Sequence, residues 1–479
     1  MKELAEVALN QLELARVDYG DVRMVVGRSE SAEVRNGVPE SISRSESRGV
    51  GIRVLVDGCW GFAATGSLTR REVLRAARLA VKVARASTLV RAGRVTLAEV
   101  GPATASYETP HQRDPFAVPL TEKLDVLVRA SDLMRKPAVR VAQAFFSAHD
   151  TRKLFASTEG AGIEQHIVET GGGIAASAVA EGDVQVRSYP NSFRGNFATA
   201  GYEYFQALDV VSQAERVAEE AVALLSAPQC PPGRRDIILA GSQLALQVHE
   251  SIGHPIELDR VLGTEASFAG TSFLTPDKLN SLKYGSDLIN VVADATVPGG
   301  LGTFGYDDEG VPAQRSDVIK AGLFVGYLMS RETAPVLGRR SNGAMRADGW
   351  EHTPLIRMTN INLLPGDWEL ADLIADTEGG LYLDVNRSWS IDDHRLNFQF
   401  GTEAAWEIQG GRLGRMYKNP TYTGITPEFW NSCDAVCNER HWRMWGTPNC
   451  GKGEPGQSAH VGHGAAPARF RNVQVGVIR

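Results

Sequence analysis

The sequence predicts an α+β protein in which one or two N-terminal α/β two-layer domains precede a large, antiparallel, β-rich and barrel-like C-terminal domain. Helical and alternating strand patterns mix in the first half, whereas short apolar runs separated by Gly and Asp turns fill the second half. Strands and helices alternate too irregularly for a doubly wound parallel sheet. A chain of 479 residues has room for two or three domains. We place them at residues 1–105, 106–228 and 229–479.

The first predicted domain opens with an amphipathic helical pattern. Strand-like sequence follows at residues 22–26, and a strand-turn-strand hairpin is predicted over residues 49–64. Thr69 and Glu72 have the spacing of a capping box, and residues 73–86 behind them show helical apolar spacing. These patterns predict an α+β domain.

The second predicted domain follows a polar, proline-containing stretch, residues 101–119, which is expected to be a boundary. Its predicted elements are a helix from about residue 121, strands at 139–147 and 163–170, and a helix at 209–225. Three consecutive glycines, residues 171–173, are expected to interrupt the sheet pattern. The proline-rich stretch 227–233 is the clearest linker, so the third domain is placed after it.

The third predicted domain begins with an apolar strand at residues 236–240 and continues into a helix that Ser242 is expected to cap. Leu244, Val248 and Ile252 form a stripe spaced i, i+4 and i+8 along this helix. This stripe should anchor the helix on its core and leave the other side chains free to point into a site.

Composition narrows the classes of function. The net charge of −7 argues against nucleic acid or an anionic membrane as a partner. The N-terminus lacks the basic start and unbroken apolar stretch of a signal peptide, and no run is long enough to span a bilayer. Five cysteines are few and odd in number, which is typical of reduced thiols in the cytosol. A cytoplasmic protein without nucleic acid or membrane partners is therefore predicted.

The most informative motif is His249-Glu250-x-x-x-His254, one residue longer than the HExxH of zinc peptidases. Residues five apart lie about 140° apart around a regular α-helix, so the two imidazoles could not share a metal there. Gly253 weakens the helix, and Pro255 disfavours the α conformation at His254. We therefore expect a π-type bulge or an unwound last turn that brings His254 round.

A catalytic zinc usually has three protein ligands, so a third donor is needed from elsewhere in the chain. Cys450 lies in a glycine-flanked turn, and Lys452 close by would favour its thiolate. A lone cysteine is by default an inert small residue, and this alternative stays open at the level of sequence.

Cys433, Cys437 and His441 would form one face of a helix, as a second, structural zinc site or as ordinary buried thiols. His460 and His463 lie near the C-terminus, where a solvated tail is the simpler interpretation.

Two groups of carboxylates lie where they could support the candidate ligands. Glu257 and Asp259 follow His254, and solvation at the helix end is favoured there over a role in orienting ligands. The Asp307-Asp308-Glu309 sequence could orient ligands too, but before a glycine it is also an ordinary exposed turn. None of these is assigned a catalytic role.

Several segments resemble the TldD/PmbA family, and in particular its TldD-type members. The matching segments are HESIGHPIELD at 249–259, DDEGVP at 307–312, RMTNINLLP at 357–365, CGK at 450–452, the ending at 469–476 and RGVGIRVLVDGCWGFAA at 48–64. The resemblance implies a metal-dependent peptidase built as a two-lobed dimer with an enclosed chamber. It further implies that His249, His254 and Cys450 hold a Zn²⁺ ion and that Glu250 is the catalytic base.

The resulting hypothesis is a zinc-dependent peptidase that cleaves short or unfolded peptides, including leader peptides of modified peptide products. The expected assembly is a dimer, either with a PmbA-type partner that lacks the HExxxH motif or with a second copy. The alternative is a non-catalytic, metal-stabilised structural or regulatory subunit of such a complex. A zinc amidohydrolase acting on a small molecule would use the same chemistry.

Overall fold

The computed structural model describes residues 1–90 and 93–476. In the N-terminal half the strands are β1 Tyr19–Arg35, β2 Val38–Val56, β3 Cys59–Thr65, β4 Thr104–Glu108, β5 Val139–Ser157, β6 Gly162–Ala180, β7 Asp183–Tyr189 and β8 Asn196–Ala198. The helices are α1 Lys2–Leu14, α2 Arg70–Ser87, α3 Leu120–Leu133, α4 Tyr202–Ala207 and α5 Val210–Ser226. The predicted hairpin over residues 49–64 is confirmed.

All eight strands belong to one sheet, whose order is β3-β2-β1-β5-β6-β4, with β7 and β8 also paired to β6. The central pairing joins β1 to β5 antiparallel along residues 21–35, so the sheet runs through both the first and the second sequence segment. The expected boundary at 101–119 contains strand β4, which pairs parallel with β6. Residues 104–108 of that stretch are therefore part of the sheet, where their alternating burial fits an edge strand, and the remainder is loop.

One face of this sheet is covered by helices. Val22 and Met24 of β1 pack with α1 and α2, whereas Ala32 and Val34 of the same strand pack with α3 and α5. Side chains alternate between faces along a strand, so these even-numbered residues share one face. The two-layer α/β prediction is thus confirmed, with two helix pairs side by side on a single sheet.

The glycine run 171–173 does not interrupt the sheet as expected but lies inside β6. A Cβ atom on Gly173 would lie 2.5 Å from the Cα of Gly195, and one on Gly172 would lie 2.2 Å from the carbonyl oxygen of Phe145. Glycine is needed here because the loop before β8 is pressed against the strand. The expectation fails because a close backbone approach leaves the same sequence signature as a break.

In the C-terminal half the strands are β9 Gly233–Leu239, β10 Val291–Asp294, β11 Arg315–Lys320, β12 Leu323–Phe324, β13 Met345–Arg346, β14 Leu355–Ile356, β15 Ile361–Leu363, β16 Gly379–Ile391, β17 Asn397–Gln409, β18 Arg412–Lys418, β19 Thr421–Ile425, β20 Cys433–Val436, β21 Arg443–Lys452, β22 Gln457–Ala465 and β23 Ala468–Val475. The α-helices are α6 Gly241–Val248, α7 Leu258–Val261, α8 Ala266–Ala269, α9 Leu370–Ala375 and α10 Thr426–Asn431.

Five of these strands close into a barrel in the order β16-β9-β23-β19-β17, and the pairing of β16 with β17 completes the ring. The parallel pair β9–β16 is the exception in an otherwise antiparallel barrel. The predicted barrel-like C-terminal domain is therefore confirmed. Strand β9 leads directly into α6, so the barrel fixes the start of the candidate site helix.

Helix α6 is not capped by Ser242 as expected. The N-cap residue is Ala240, and Ser242 Oγ instead donates to Asp384 Oδ1 at 3.0 Å. That bond ties the first turn of the helix to β16. In the described ranges, no helix has the length and apolar character needed to cross a bilayer.

The acidic segment 307–309 is buried between the two halves of the chain. Asp308 pairs with Lys153 at 3.2 Å and Arg23 at 3.6 Å, and Glu309 pairs with Arg53 at 3.2 Å. The segment does form a turn, closed by the N–H of Gly310 donating to the carbonyl of Asp307 at 3.2 Å, but the turn is buried and not exposed as expected. The ion pairs of Asp308 and Glu309 support a role in joining the two halves of the chain and not the alternative of orienting ligands. The partners of these carboxylates are cationic side chains of the N-terminal sheet. They are distant in sequence, so no local pattern predicts the pairing.

We predict that Arg53→Met lowers the free energy of unfolding by about 3–5 kcal/mol, because it leaves Glu309 and Asp21 as buried carboxylates without their cation. Urea denaturation measures this loss. The exposed residue Arg71 supplies the control, and Arg71→Met should stay within about 0.5 kcal/mol of wild type. A loss below about 1 kcal/mol for Arg53→Met is the value typical of exposed ion pairs. It would contradict a stabilising role for the buried ion pairs between the two halves of the chain.

Candidate metal centre

The HExxxH segment is a single π-helical turn, His249–Gly253, that continues directly from α6. The backbone N–H of His254 donates to the carbonyl oxygen of His249 at 3.1 Å, five residues back. A π-turn accommodates one more residue than an α-turn, so residues five apart come onto the same side. The predicted π-type bulge is confirmed, and the buried stripe of Leu244, Val248 and Ile252 anchors it as expected.

Specific contacts hold this turn. A Cβ atom on Gly253 would lie 2.2 Å from Met358 Sδ, so a larger residue there would require the Met358 side chain to move. The hydroxyl of Tyr284 donates to the carbonyl of Ser251, and Trp430 Nε1 donates to Ser251 Oγ at 2.9 Å. Backbone groups that lose their usual α-helical partners need such bonds when they are buried.

The β21–β22 hairpin carries Cys450 to the π-turn. Cys450 Sγ lies 3.5 Å from His249 Nε2 and 3.8 Å from His254 Nε2, and the two imidazole rings are 4.8 Å apart at 89°. All three candidate ligand atoms lie within 4.8 Å of one another, and all three residues are buried. The structure therefore brings together the three residues that the sequence singled out as ligands.

The outer ring nitrogens have partners of their own. His254 Nδ1 lies 3.0 Å from Glu257 Oε2, and His249 Nδ1 lies 2.7 Å from His463 Nε2. With Nδ1 engaged, each Nε2 is directed towards the sulfur. Such second partners fix the orientation and tautomer of metal-binding histidines.

Two of the sequence expectations are corrected by these contacts. Glu257 is fully buried and Asp259 is 8% exposed, so the helix end is not solvated. His463 is buried as well, and His460 Nδ1 binds Glu169 Oε2 at 2.6 Å. The supposed tail is strand β22, whose pairing with β21 places His463 opposite Trp445. Residues 457–465 show no regular alternation of apolar and polar side chains, so the local sequence gives no strong signal for this strand.

Electrostatics around the thiol differ in one respect from the sequence hypothesis. Burial opposes ionisation of Cys450, yet His254 and the guanidinium of Arg357 hold its pKa below the usual range. Lys452 does not supply this effect, since its Nζ donates to Asp259 Oδ1 at 2.7 Å. The thiolate is thus favoured by the contact with His254 and by Arg357, and not by Lys452.

The pKa values of the imidazoles are lowered as well, which favours their neutral form. Burial lowers the pKa of His249, and it lowers the pKa of His254 well below the ordinary value. Burial and the neighbouring His249 also lower the pKa of His463. Neutral imidazoles and an ionised thiol are the protonation states in which these groups bind a metal.

Glu250 lines a cleft of about 420 Å³ together with the three candidate ligands. The guanidinium of Arg395 donates to Glu250 Oε2 at 3.1 Å and to the carbonyl of Ala269 at 3.3 Å. Arg395 lies in the turn between β16 and β17 and was not found from sequence. It carries no motif, and only the folded barrel brings this turn to the π-turn.

Cys433, Cys437 and His441 do not lie along one face of a helix, as their spacing suggested. Cys433 begins strand β20, and His441 Nε2 lies 2.9 Å from Glu369 Oε2. In the described part of the chain these residues do not gather into a metal-binding group. The five cysteines are all free and buried.

Three family models match successive parts of the chain. They are described as PmbA/TldA metallopeptidase domain 1 at residues 20–84, the central domain at 113–225 and the C-terminal domain at 232–477. A computed comparison of folds adds TldE from Thermococcus kodakarensis, with a TM-score of 0.72 and 17% identity, covering 99% of this chain and 100% of that chain. That likeness concerns the fold alone.

Curated relatives extend the match over nearly the whole length. The metalloprotease MJ0996 of Methanocaldococcus jannaschii is 29% identical, over 94% of this chain and 96% of its own. The metalloprotease TldD homolog of Haemophilus influenzae is 26% identical, over 96% of this chain and 93% of its own. With three family models along its length and these relatives, the chain belongs to the PmbA/TldD family of metallopeptidases, as a TldD-type member.

Proposed function

We propose that this metallopeptidase is a zinc-dependent peptidase in which His249, His254 and Cys450 hold the metal and Glu250 is the general base. The observation that carries the proposal is the π-turn, which gathers three donor atoms within 4.8 Å beside a carboxylate in an open cleft. A purely structural site would have no use for a base beside the metal.

The donor set fits zinc. Two imidazoles and one thiolate leave one position of a tetrahedral site open, as in catalytic zinc centres. A mixture of nitrogen and sulfur donors favours zinc over magnesium or calcium, which prefer oxygen. When bound, the zinc ion would supply Lewis acidity for hydrolysis of the peptide carbonyl.

Proton transfer and the positioning of the reacting groups are assigned to residues of the chain. Glu250 can accept a proton from a water molecule in the cleft and deliver it to the departing amine. Arg395 holds this carboxylate in place through the bond to Oε2, at 3.1 Å. Glu257 and His463 keep the two imidazoles oriented with Nε2 inward.

We further propose that the substrates are short or unfolded peptides, including leader peptides of modified peptide products. A cleft of about 420 Å³ has room for a few residues of an extended chain but not for a folded domain. The site lies beside strands β16 and β21, whose backbones could align an extended peptide.

The proposed assembly is a dimer, with either a PmbA-type partner that lacks the HExxxH motif or a second copy. A cytoplasmic location is part of the proposal as well. Five free cysteines are consistent with a reducing compartment.

We predict that Glu250→Gln lowers kcat/KM on an unstructured peptide pool by about 10²–10⁴-fold, because the cleft loses its proton acceptor. Zinc content should be unchanged, since the three ligands remain. Mass spectrometry of the products and elemental analysis of the protein measure the two quantities, with and without a PmbA-type partner.

The exposed Glu13 gives a matched control, and Glu13→Gln should behave as wild type. Normal turnover by Glu250→Gln would refute the assignment of the base. Zinc in both proteins with turnover by neither, in the presence of the partner, would favour the non-catalytic alternative.

We also predict that Cys450→Ser weakens zinc affinity by more than the roughly 10–100-fold lost when an outer partner of a ligand is removed. The reason is that a serine hydroxyl is a far poorer zinc donor than a thiolate. Competition with a chromophoric chelator measures the affinity. Cys433→Ser changes another buried thiol and should leave zinc affinity unaltered, and equal affinity in all three proteins would exclude Cys450 as a ligand.

A further inference from the structure

Two aromatic side chains stand exposed along the cleft of the candidate metal centre. Phe193 is 47% exposed and Trp389 is 44% exposed, and their rings meet edge to face with centroids 5.2 Å apart at 90°. Both line the same cavity as His249 and Glu250. Large aromatic groups left open to solvent beside a catalytic cleft are typical of a binding surface.

Phe193 is held over the cleft by a braced loop. The backbone of Gly195 packs on β6, where a Cβ atom on Gly195 would lie 1.8 Å from the carbonyl oxygen of Gly172. Asn196 Nδ2 donates to the carbonyl of Met444 at 3.0 Å, and Asn196 Oδ1 accepts from the backbone N–H of Gly446 at 2.6 Å. These bonds fasten the loop to β21, the strand that also carries Cys450.

Trp389 reaches the same place from the barrel, because it lies in β16 close to the turn that carries Arg395. The aromatic pair therefore joins an N-terminal loop to a C-terminal strand across the mouth of the cleft. Leu246 and Ile391 extend this apolar side towards the metal-site helix.

Charge is sparse along this lining. Apart from the three candidate metal ligands, the charged residues among the described cleft residues are Glu250 and Arg395, and these two pair with each other at 3.1 Å. The other polar members, such as Asn191, Ser192 and Asn386, are neutral. A charged substrate side chain would find no free counter-charge here, whereas an apolar one would find an aromatic surface.

We propose that Phe193 and Trp389 form a subsite for a bulky apolar side chain of the peptide, close to the bond that is cleaved. The inference rests on the proposed peptidase function and narrows its substrates to peptides with an aromatic or large aliphatic residue near the cleavage site. Burial of that side chain against two ring faces supplies the selectivity.

The test uses binding, so that it does not depend on turnover. Fluorescently labelled Gly/Ser/Ala peptides with Phe, Ser or Lys at one central position are titrated against the zinc-loaded full chain carrying Glu250→Gln. Fluorescence anisotropy gives each Kd. The Phe peptide should bind about tenfold more tightly than the Ser and Lys peptides, the discrimination expected of an apolar pocket.

Phe193→Ala and Trp389→Ala, each added to this background, should reduce the preference to about twofold or less. The exposed Leu413 provides the control, and Leu413→Ala should retain the full preference. A preference that survives both aromatic substitutions, or equal binding of the three peptides, would overturn the subsite.

Turnover by the wild-type chain separates the two proposals. Cleavage of a mixed peptide pool with no enrichment of apolar residues near the cut sites would contradict the subsite and leave the peptidase intact. Selective binding of the Phe peptide without any turnover, either by the chain alone or with a PmbA-type partner, would uphold the subsite and contradict the peptidase.

Discussion

The site depends on one backbone hydrogen bond, from the N–H of His254 to the carbonyl oxygen of His249, at 3.1 Å. In an α-turn the same two imidazoles would diverge around the helix, and no single metal could reach both. Neighbouring contacts stabilise the π-turn that this hydrogen bond closes. Met358 packs closely against Gly253, and the hydroxyl of Tyr284 donates to the carbonyl of Ser251. A less favourable helical turn is thus stabilised where chemistry requires it, as at many functional sites.

The remaining groups come from distant parts of the chain. Cys450 and His463 lie on the two strands of one hairpin, and Arg395 lies in a barrel turn, so the barrel and the hairpin together position the three candidate metal ligands and Glu250, the proposed base. The N-terminal sheet contributes Phe193 to the rim of the same cleft. Burial of the candidate ligands favours neutral imidazoles, while the contact with His254 and the guanidinium of Arg357 favour the thiolate, and these are the protonation states in which such groups bind a metal.

Local sequence signals predicted much of the fold and the centre of the site. The i+5 spacing of His249 and His254, with Gly253 and Pro255 beside them, sufficed to predict the distorted turn, because helix geometry is a local property. Helix α2 and the barrel-like C-terminal half were also predicted from local sequence patterns, namely the capping box with helical apolar spacing and the short apolar runs between turns. The role of His463, the pairing of Arg395 with Glu250 and the glycines of β6 were not, because each depends on partners far away in sequence. Ser242 is the opposite case, because a local signal predicted a role that the fold does not use. Its hydroxyl bonds to Asp384 and does not cap helix α6.

The central claim is that the π-turn and the hairpin together form a zinc centre with two imidazoles and one thiolate. X-ray absorption spectroscopy of the zinc-loaded chain tests it most directly, because sulfur and nitrogen ligands scatter at distinguishable distances. The account predicts one sulfur at about 2.3 Å and two imidazole nitrogens at about 2.0–2.1 Å. A first shell without sulfur, or with a single imidazole, would contradict it.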